Sequence, residues 1–110
     1  MRLKAQDVQK ILSVLKIELK DFHYQIFLFG SRLDDNKRGG DIDLLLLVDQ
    51  SDFETIHAKK AFLKFELEDA LGDQRIDLTL TTHKKMAADV FIQSIAGDAL
   101  LLDTNQNRTI

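Results

Sequence analysis

The sequence predicts an α/β (α+β) fold, a small sheet of three to four strands flanked by helices. Three observations carry that prediction. Apolar residues from Ala5 to about Lys20 recur with helical period, at Val8, Ile11, Leu12, Leu15 and Leu19. Three short apolar runs, Tyr24–Phe29, Asp41–Val48 and Arg75–Leu80, have the length of strands. Between the second and third lies a stretch with helix signals at both ends.

The first helix, with its lysines, Asp7 and Glu18 outside the apolar stripe, is expected to pack on the sheet. Asp21-Phe22-His23 reads as a connector, His23 as a loop residue, and Tyr24–Phe29 as a strand buried on both faces. Asp34–Gly40 is a turn-rich, charged loop, in which Lys37 and Arg38 are expected to be solvated. Leu44-Leu45-Leu46-Leu47-Val48 leaves too few polar positions for a one-sided strand, so this strand is expected in the middle of the sheet.

Ser51-Asp52-Phe53-Glu54 has the pattern of a capping box, and Gly72 follows Ala70-Leu71, which predicts one helix from about Asp52 to Leu71. Phe53, Ile56, Ala61, Phe62, Phe65 and Leu67 would form its core side, and His57 would lie at the surface. After the third strand a helix from about Lys84 to Ala96 is expected to bury Ala87, Val90, Phe91 and Ile95 and to end at Gly97. Ala99–Leu102 fits either a fourth strand or a final packed turn, and 103–110 reads as a flexible tail.

The 110 residues suit one domain, 1–110, which buries roughly 65% of its unfolded surface. With 45% apolar and 30% charged residues the composition is that of an ordinary globular protein, and no apolar run approaches the roughly 18 residues of a membrane span. The first residues lack the apolar core of a signal peptide, so a cytoplasmic location is expected. Absence of cysteine excludes disulfides and thiolate metal sites. A net charge of −3 argues against broad binding to nucleic acid, which needs a basic face.

The chemistry concentrates in Leu28-Phe29-Gly30-Ser31-Arg32 and Gly39-Gly40-Asp41-Ile42-Asp43-Leu44. Alternation along a strand puts Asp41 and Asp43 on one face, where two carboxylates repel unless a cation compensates. Oxygen ligands of this kind suit Mg²⁺, which takes one or two carboxylates together with substrate phosphates. Gly30 admits close approach of the backbone, and Ser31 offers a hydroxyl and free N–H groups to a phosphate. A metal edge beside a phosphate cradle implies a nucleoside triphosphate. In Gln74-Arg75-Ile76-Asp77-Leu78-Thr79-Leu80, Asp77 and Thr79 fall on the face opposite Ile76, Leu78 and Leu80, which makes Asp77 a carboxylate inside a strand, where an unpaired charge is costly. Asp43 and Asp77 both contradict strand propensity, and such violations tend to mark function.

On these residues the chain resembles the minimal nucleotidyltransferases (MNT) of the DNA polymerase β-like superfamily, whose signature is Gly-Ser, about ten residues, then Asp-x-Asp, with a third acid on a later strand. Here residues 32–40, nine in number, separate Ser31 from Asp41. The resemblance spans roughly Tyr24 to Asp103 and implies a mixed sheet of the nucleotidyltransferase fold, ordered αβ(α)βαβα. It also implies two-metal catalysis: Asp41, Asp43 and Asp77 as catalytic metal ligands for two Mg²⁺ ions, Gly30, Ser31 and Arg32 on the phosphates of ATP, and transfer of AMP to a hydroxyl. Stand-alone members of this size act as antitoxins toward a separately encoded HEPN ribonuclease toxin, in some cases by adenylylating a tyrosine, and that is the role implied here. Two alternatives are a non-catalytic binding antitoxin and an enzyme acting on a small hydroxylated molecule with a partner-supplied site.

Overall fold

The computed structural model describes residues 3–29, 41–96 and 99–105. In chain order these form α1 (Ala5–Glu18), β1 (Tyr24–Phe29), β2 (Ile42–Val48), α2 (Phe53–Ala58), α3 (Lys60–Ala70), β3 (Ile76–Thr81), α4 (His83–Ala88), α5 (Val90–Ala96) and β4 (Leu100–Asn105). Among the described residues the strands make one sheet in the order β3-β2-β1-β4. The pair β2/β3 is parallel, and β1 is antiparallel to both β2 and β4. The sheet is therefore mixed, and β2 is internal, as its leucine run demands.

Alternation divides the sheet's side chains between two cores. On one face Tyr24, Ile26, Leu28, Leu44, Leu46 and Leu78 meet Ile11 and Leu15 of α1 and Ile56, Leu63 and Leu67 of α2 and α3. On the other, Phe29 and Leu45 pack against Ile92 of α5, with Phe27, Met86 and Ala99 around them. None of the described helices is long and apolar enough to cross a membrane.

Several sequence expectations are corrected. The helix expected from Asp52 to Leu71 is two helices: the N–H of Lys59 bonds three residues back to the Ile56 carbonyl, with φ −97° and ψ 0°. Lys59 is held there by its ammonium group, which donates to the Glu18 carbonyl at the end of α1 at 2.8 Å. The capping box at Ser51 does not form; Gln50–Asp52 is a 3₁₀ turn, and neither it nor α2 has a side-chain cap. Of the expected core set, Ile56 and Leu67 are buried and Phe53 half-buried, whereas Ala61, Phe62 and Phe65 are exposed. α3 meets the core through the narrow stripe of Leu63 and Leu67, one helical turn apart, and the period of the helix turns Phe62 and Phe65 away from it.

The expected helix 84–96 also breaks, at Asp89, whose carboxylate accepts the Ile92 N–H at 3.3 Å and caps α5. That restart turns Ile92 onto the sheet and leaves Ala87 and Val90 exposed. Residues 103–105, read as part of a flexible tail, belong to β4: Asp103, Thr104 and Asn105 pair with Ile26, Gln25 and Tyr24. The remainder of that tail, 106–110, and the Gly97 helix end lie outside the described residues.

Gly72 behaves as expected. With φ +67° it ends α3 in the left-handed region, its N–H on the Asp69 carbonyl and that of Asp73 on the Glu68 carbonyl. The chain leaves this turn directly into β3.

Candidate active site

β2 is central, and Asp43 lies at its second position, between Phe29 of β1 and Asp77 of β3. In the parallel ladder Asp43 and Asp77 are register partners, as are Ile42 and Ile76, Leu44 and Leu78. Since Ile42, Leu44, Ile76 and Leu78 all point into the helix-covered core, Asp43 and Asp77 share the opposite face. Neighbouring strands lie about 4.8 Å apart, so two carboxylates are brought side by side by backbone pairing alone.

β3 is the outer strand, and for that reason Asp77 stands exposed while Asp43 is half-buried. The burial cost expected for a strand carboxylate therefore does not arise at Asp77. The glutamate at position 68 helps fix the register. Its carboxylate accepts the N–H of Ile76 at 2.9 Å and the Lys64 ammonium at 2.8 Å, and these two bonds hold its pKa below the usual glutamate value.

Asp41 immediately precedes β2. The Ile42 N–H donates to the Arg75 carbonyl at 3.0 Å, which aligns Asp41 beside Arg75, and the Asp41 carboxylate lies 3.8 Å from the Arg75 guanidinium. The Arg75 side chain is 82% exposed and that of Asp41 43%. Sequence reasoning missed Arg75, although its position two residues before Asp77 assigns it to the same face. Four charged residues thus cluster at the end of the β2/β3 ladder: Asp41, Asp43, Arg75 and Asp77.

The other sequence-designated residues, Gly30, Ser31 and Arg32, together with Lys37 and Arg38, lie outside the described residues. They follow Phe29, the antiparallel partner of Asp43, so the chain enters that segment next to the acidic pair. His23, read as a loop residue, precedes β1 and lies 3.1 Å from Asp49, while His57 is exposed and stacked on Phe53.

The family model for the nucleotidyltransferase domain matches residues 8–100. The chain belongs to that family. It is accordingly a nucleotidyltransferase of the DNA polymerase β-like superfamily, and the general chemistry of its domain is transfer of a nucleotidyl group. No curated protein matches the chain.

In a nucleotidyltransferase the acidic edge is the natural place for a divalent cation. Among the described residues no three His, Asp or Glu side chains gather into a complete metal cluster. The donor set nevertheless fits Mg²⁺, which is commonly held by one or two carboxylates and completed by substrate phosphates. Asp43 and Asp77 are all-oxygen donors on neighbouring strands, and Asp41 is aligned at the same edge by the backbone bond from Ile42 to Arg75, its own ion pair with Arg75 being exposed and weak.

Proposed function

We propose that this nucleotidyltransferase transfers AMP from ATP to a hydroxyl, with Mg²⁺ as cofactor, and that the hydroxyl belongs to a tyrosine of a cognate HEPN ribonuclease toxin, which the modification neutralises. The observation that carries the reading is the pairing of Asp43 with Asp77 on one face of the sheet, in a chain whose residues 8–100 match the nucleotidyltransferase domain. Support for a protein acceptor comes from the exposure of Asp77 on the outer strand, where a side chain borne by another protein can reach it without a pre-formed cleft. The toxin assignment rests on the resemblance to stand-alone members of similar size.

Asp43 and Asp77, with Asp41, would hold the metal, which when bound neutralises phosphate oxygens and lowers the pKa of the attacking hydroxyl. Asp77 would help the metal to lower the pKa of that hydroxyl and would take its proton. Gly30 and Ser31 would receive the β- and γ-phosphates and Arg32 would add positive charge there. The acceptor oxygen forms a bond to the α-phosphorus as the bond to the bridging oxygen breaks, and pyrophosphate leaves.

Incubation of the purified protein with α-labelled ATP and Mg²⁺, alone and with the HEPN protein, tests this. Label on a tyrosine of the HEPN protein, lost with Asp43→Asn, is the expected result. Label on a small molecule, or neutralisation that survives Asp43→Asn without label, overturns it.

A further inference from the structure

One corner of the acidic edge carries the opposite charge from the other three. Continuing the β2/β3 ladder one step beyond Ile42 and Ile76 puts Asp41 opposite Arg75, so that Asp43 and Asp77 make one row on this face and Asp41 and Arg75 the next, about 7 Å further along the strands. The Arg75 Nε lies 3.8 Å from the Asp41 carboxylate, too far for a hydrogen bond. The Arg75 side chain is 82% exposed, and its guanidinium makes no hydrogen bond to a described residue. A full set of N–H donors is thus held beside the acids.

We propose, resting on the Mg²⁺ and ATP reading above, that Arg75 is a counter-ion exchanged as substrate binds: it neutralises Asp41 beforehand, gives Asp41 up to the metal, and closes on the α-phosphate of the nucleotide. A guanidinium stays charged at any working pH and accepts no hydrogen bond, so it can neither ligate a metal nor step aside by losing a proton. A metal ion claiming Asp41 has to displace it. The ion pair is exposed and weak, so displacement costs little, and the released guanidinium needs another anion. A phosphate arriving with the metal is the anion its planar fork fits, two oxygens at a time. Position narrows the choice of phosphate. β1, from whose end the chain runs into Gly30 and Ser31, flanks β2 on one side, and Arg75, immediately before β3, stands on the other. With the β- and γ-phosphates assigned to Gly30 and Ser31, the group left for Arg75 is the α-phosphate, which carries the transferred nucleotidyl group.

Removing the side chain acts on the two ligands with opposite sign, which a merely structural role does not produce. Titration of the full chain with Mn²⁺ alone, followed by electron paramagnetic resonance, and then with α,β-methylene ATP at saturating Mn²⁺, followed by calorimetry, tests the exchange. Arg75→Ala is expected to bind Mn²⁺ about two- to fivefold more tightly, the competitor for Asp41 being gone, and the analogue at least about tenfold more weakly. Arg75→Lys, which keeps the charge and loses the fork, should restore the wild-type Mn²⁺ affinity and only part of the affinity for the analogue. Circular dichroism of both variants should match the wild type, since the side chain is exposed. Mn²⁺ affinity unchanged or reduced in Arg75→Ala, or analogue affinity unchanged, overturns the proposal and leaves the reaction assigned above intact. Loss of transfer to a protein acceptor with analogue affinity unchanged overturns it in favour of a contact between Arg75 and the acceptor. A wild-type chain that takes up neither Mn²⁺ nor the analogue overturns the Mg²⁺ reading and this proposal with it.

Discussion

The carboxylate of Glu68, in the last turn of α3, accepts the backbone N–H of Ile76, the first residue of β3, at 2.9 Å. One side chain thereby ties the crossover helix to the strand that carries Asp77. The Schellman turn at Gly72 and Asp73 is short, so the position of β3 against β2 depends on where this bond fixes its first residue. The acid pair is thus held by a contact remote from the chemistry.

Glu68→Ala should lower Tm and reduce transfer together, whereas Glu68→Gln, which keeps an acceptor for Ile76, should retain most of both. The pH dependence has a definite sign. Because the folded-state pKa of Glu68 is below the ordinary 4.5, its contribution is complete above that value and is lost as pH falls through the lower one. An acid titration of Tm should therefore be shallower in Glu68→Gln than in the wild type.

Asp43→Asn and Asp77→Asn should each lower nucleotidyl transfer by at least about a hundredfold, the scale seen when one group that stabilises transition-state charge is removed. Asp77→Asn should not lower Tm, since Asp77 is exposed and its substitution removes one of two like charges brought together by the ladder. A parallel assay of transfer and thermal unfolding checks both statements. Arg75→Ala should change stability by less than about 0.5 kcal/mol, because its ion pair with Asp41 is exposed.

Tyr24 presents the opposite situation. Its ring is fully buried, its hydroxyl has no hydrogen-bond partner among the described residues, and burial, with Asp103 nearby, pushes its pKa up to about 12. An orphaned buried hydroxyl costs about 1–3 kcal/mol, so Tyr24→Phe should leave stability unchanged or raise it by up to about 1 kcal/mol. Its raised pKa means that the folded state keeps a proton the unfolded state loses above pH 10. Stability should be intact below pH 10 and fall as pH rises toward 12, and this component should vanish in Tyr24→Phe. Denaturant melts at a series of alkaline pH values give the comparison.

Thr82 bridges two ends of the structure. Its hydroxyl donates to Gln50 Oε1 at 2.8 Å and accepts the Lys85 N–H at 3.1 Å, capping α4. Thr82→Ala should cost about 1–2 kcal/mol, measured by urea unfolding. Thr82→Ser, which keeps both bonds, should cost less than half of that.

Much of the architecture follows from periodicity. The short apolar runs of Tyr24–Phe29 and Ile42–Val48, the helical stripe of α1 and the glycine at 72 are local signals, and local backbone geometry answers them directly. The acids were legible for the same reason: Asp43 and Asp77 defy strand propensity at positions where alternation already assigns a face. Arg75 was overlooked because an arginine at the first position of the expected strand Arg75–Leu80 carries no such contradiction.

The sequence alone determined which residues share a face, because that depends only on a period of two in strands and 3.6 in helices. Tertiary structure decided what each face meets. The breaks at Lys59 and Asp89 come from a contact with Glu18 and a cap on Ile92, and once Leu63 and Leu67 are the stripe turned to the core, the helical period leaves Phe62 and Phe65 on the outer side of α3. Above all, the pairing of Asp43 with Asp77 across 34 residues of chain is a matter of strand register. Register is fixed by hydrogen bonds between segments and by anchors such as Glu68, which no pattern within either strand encodes.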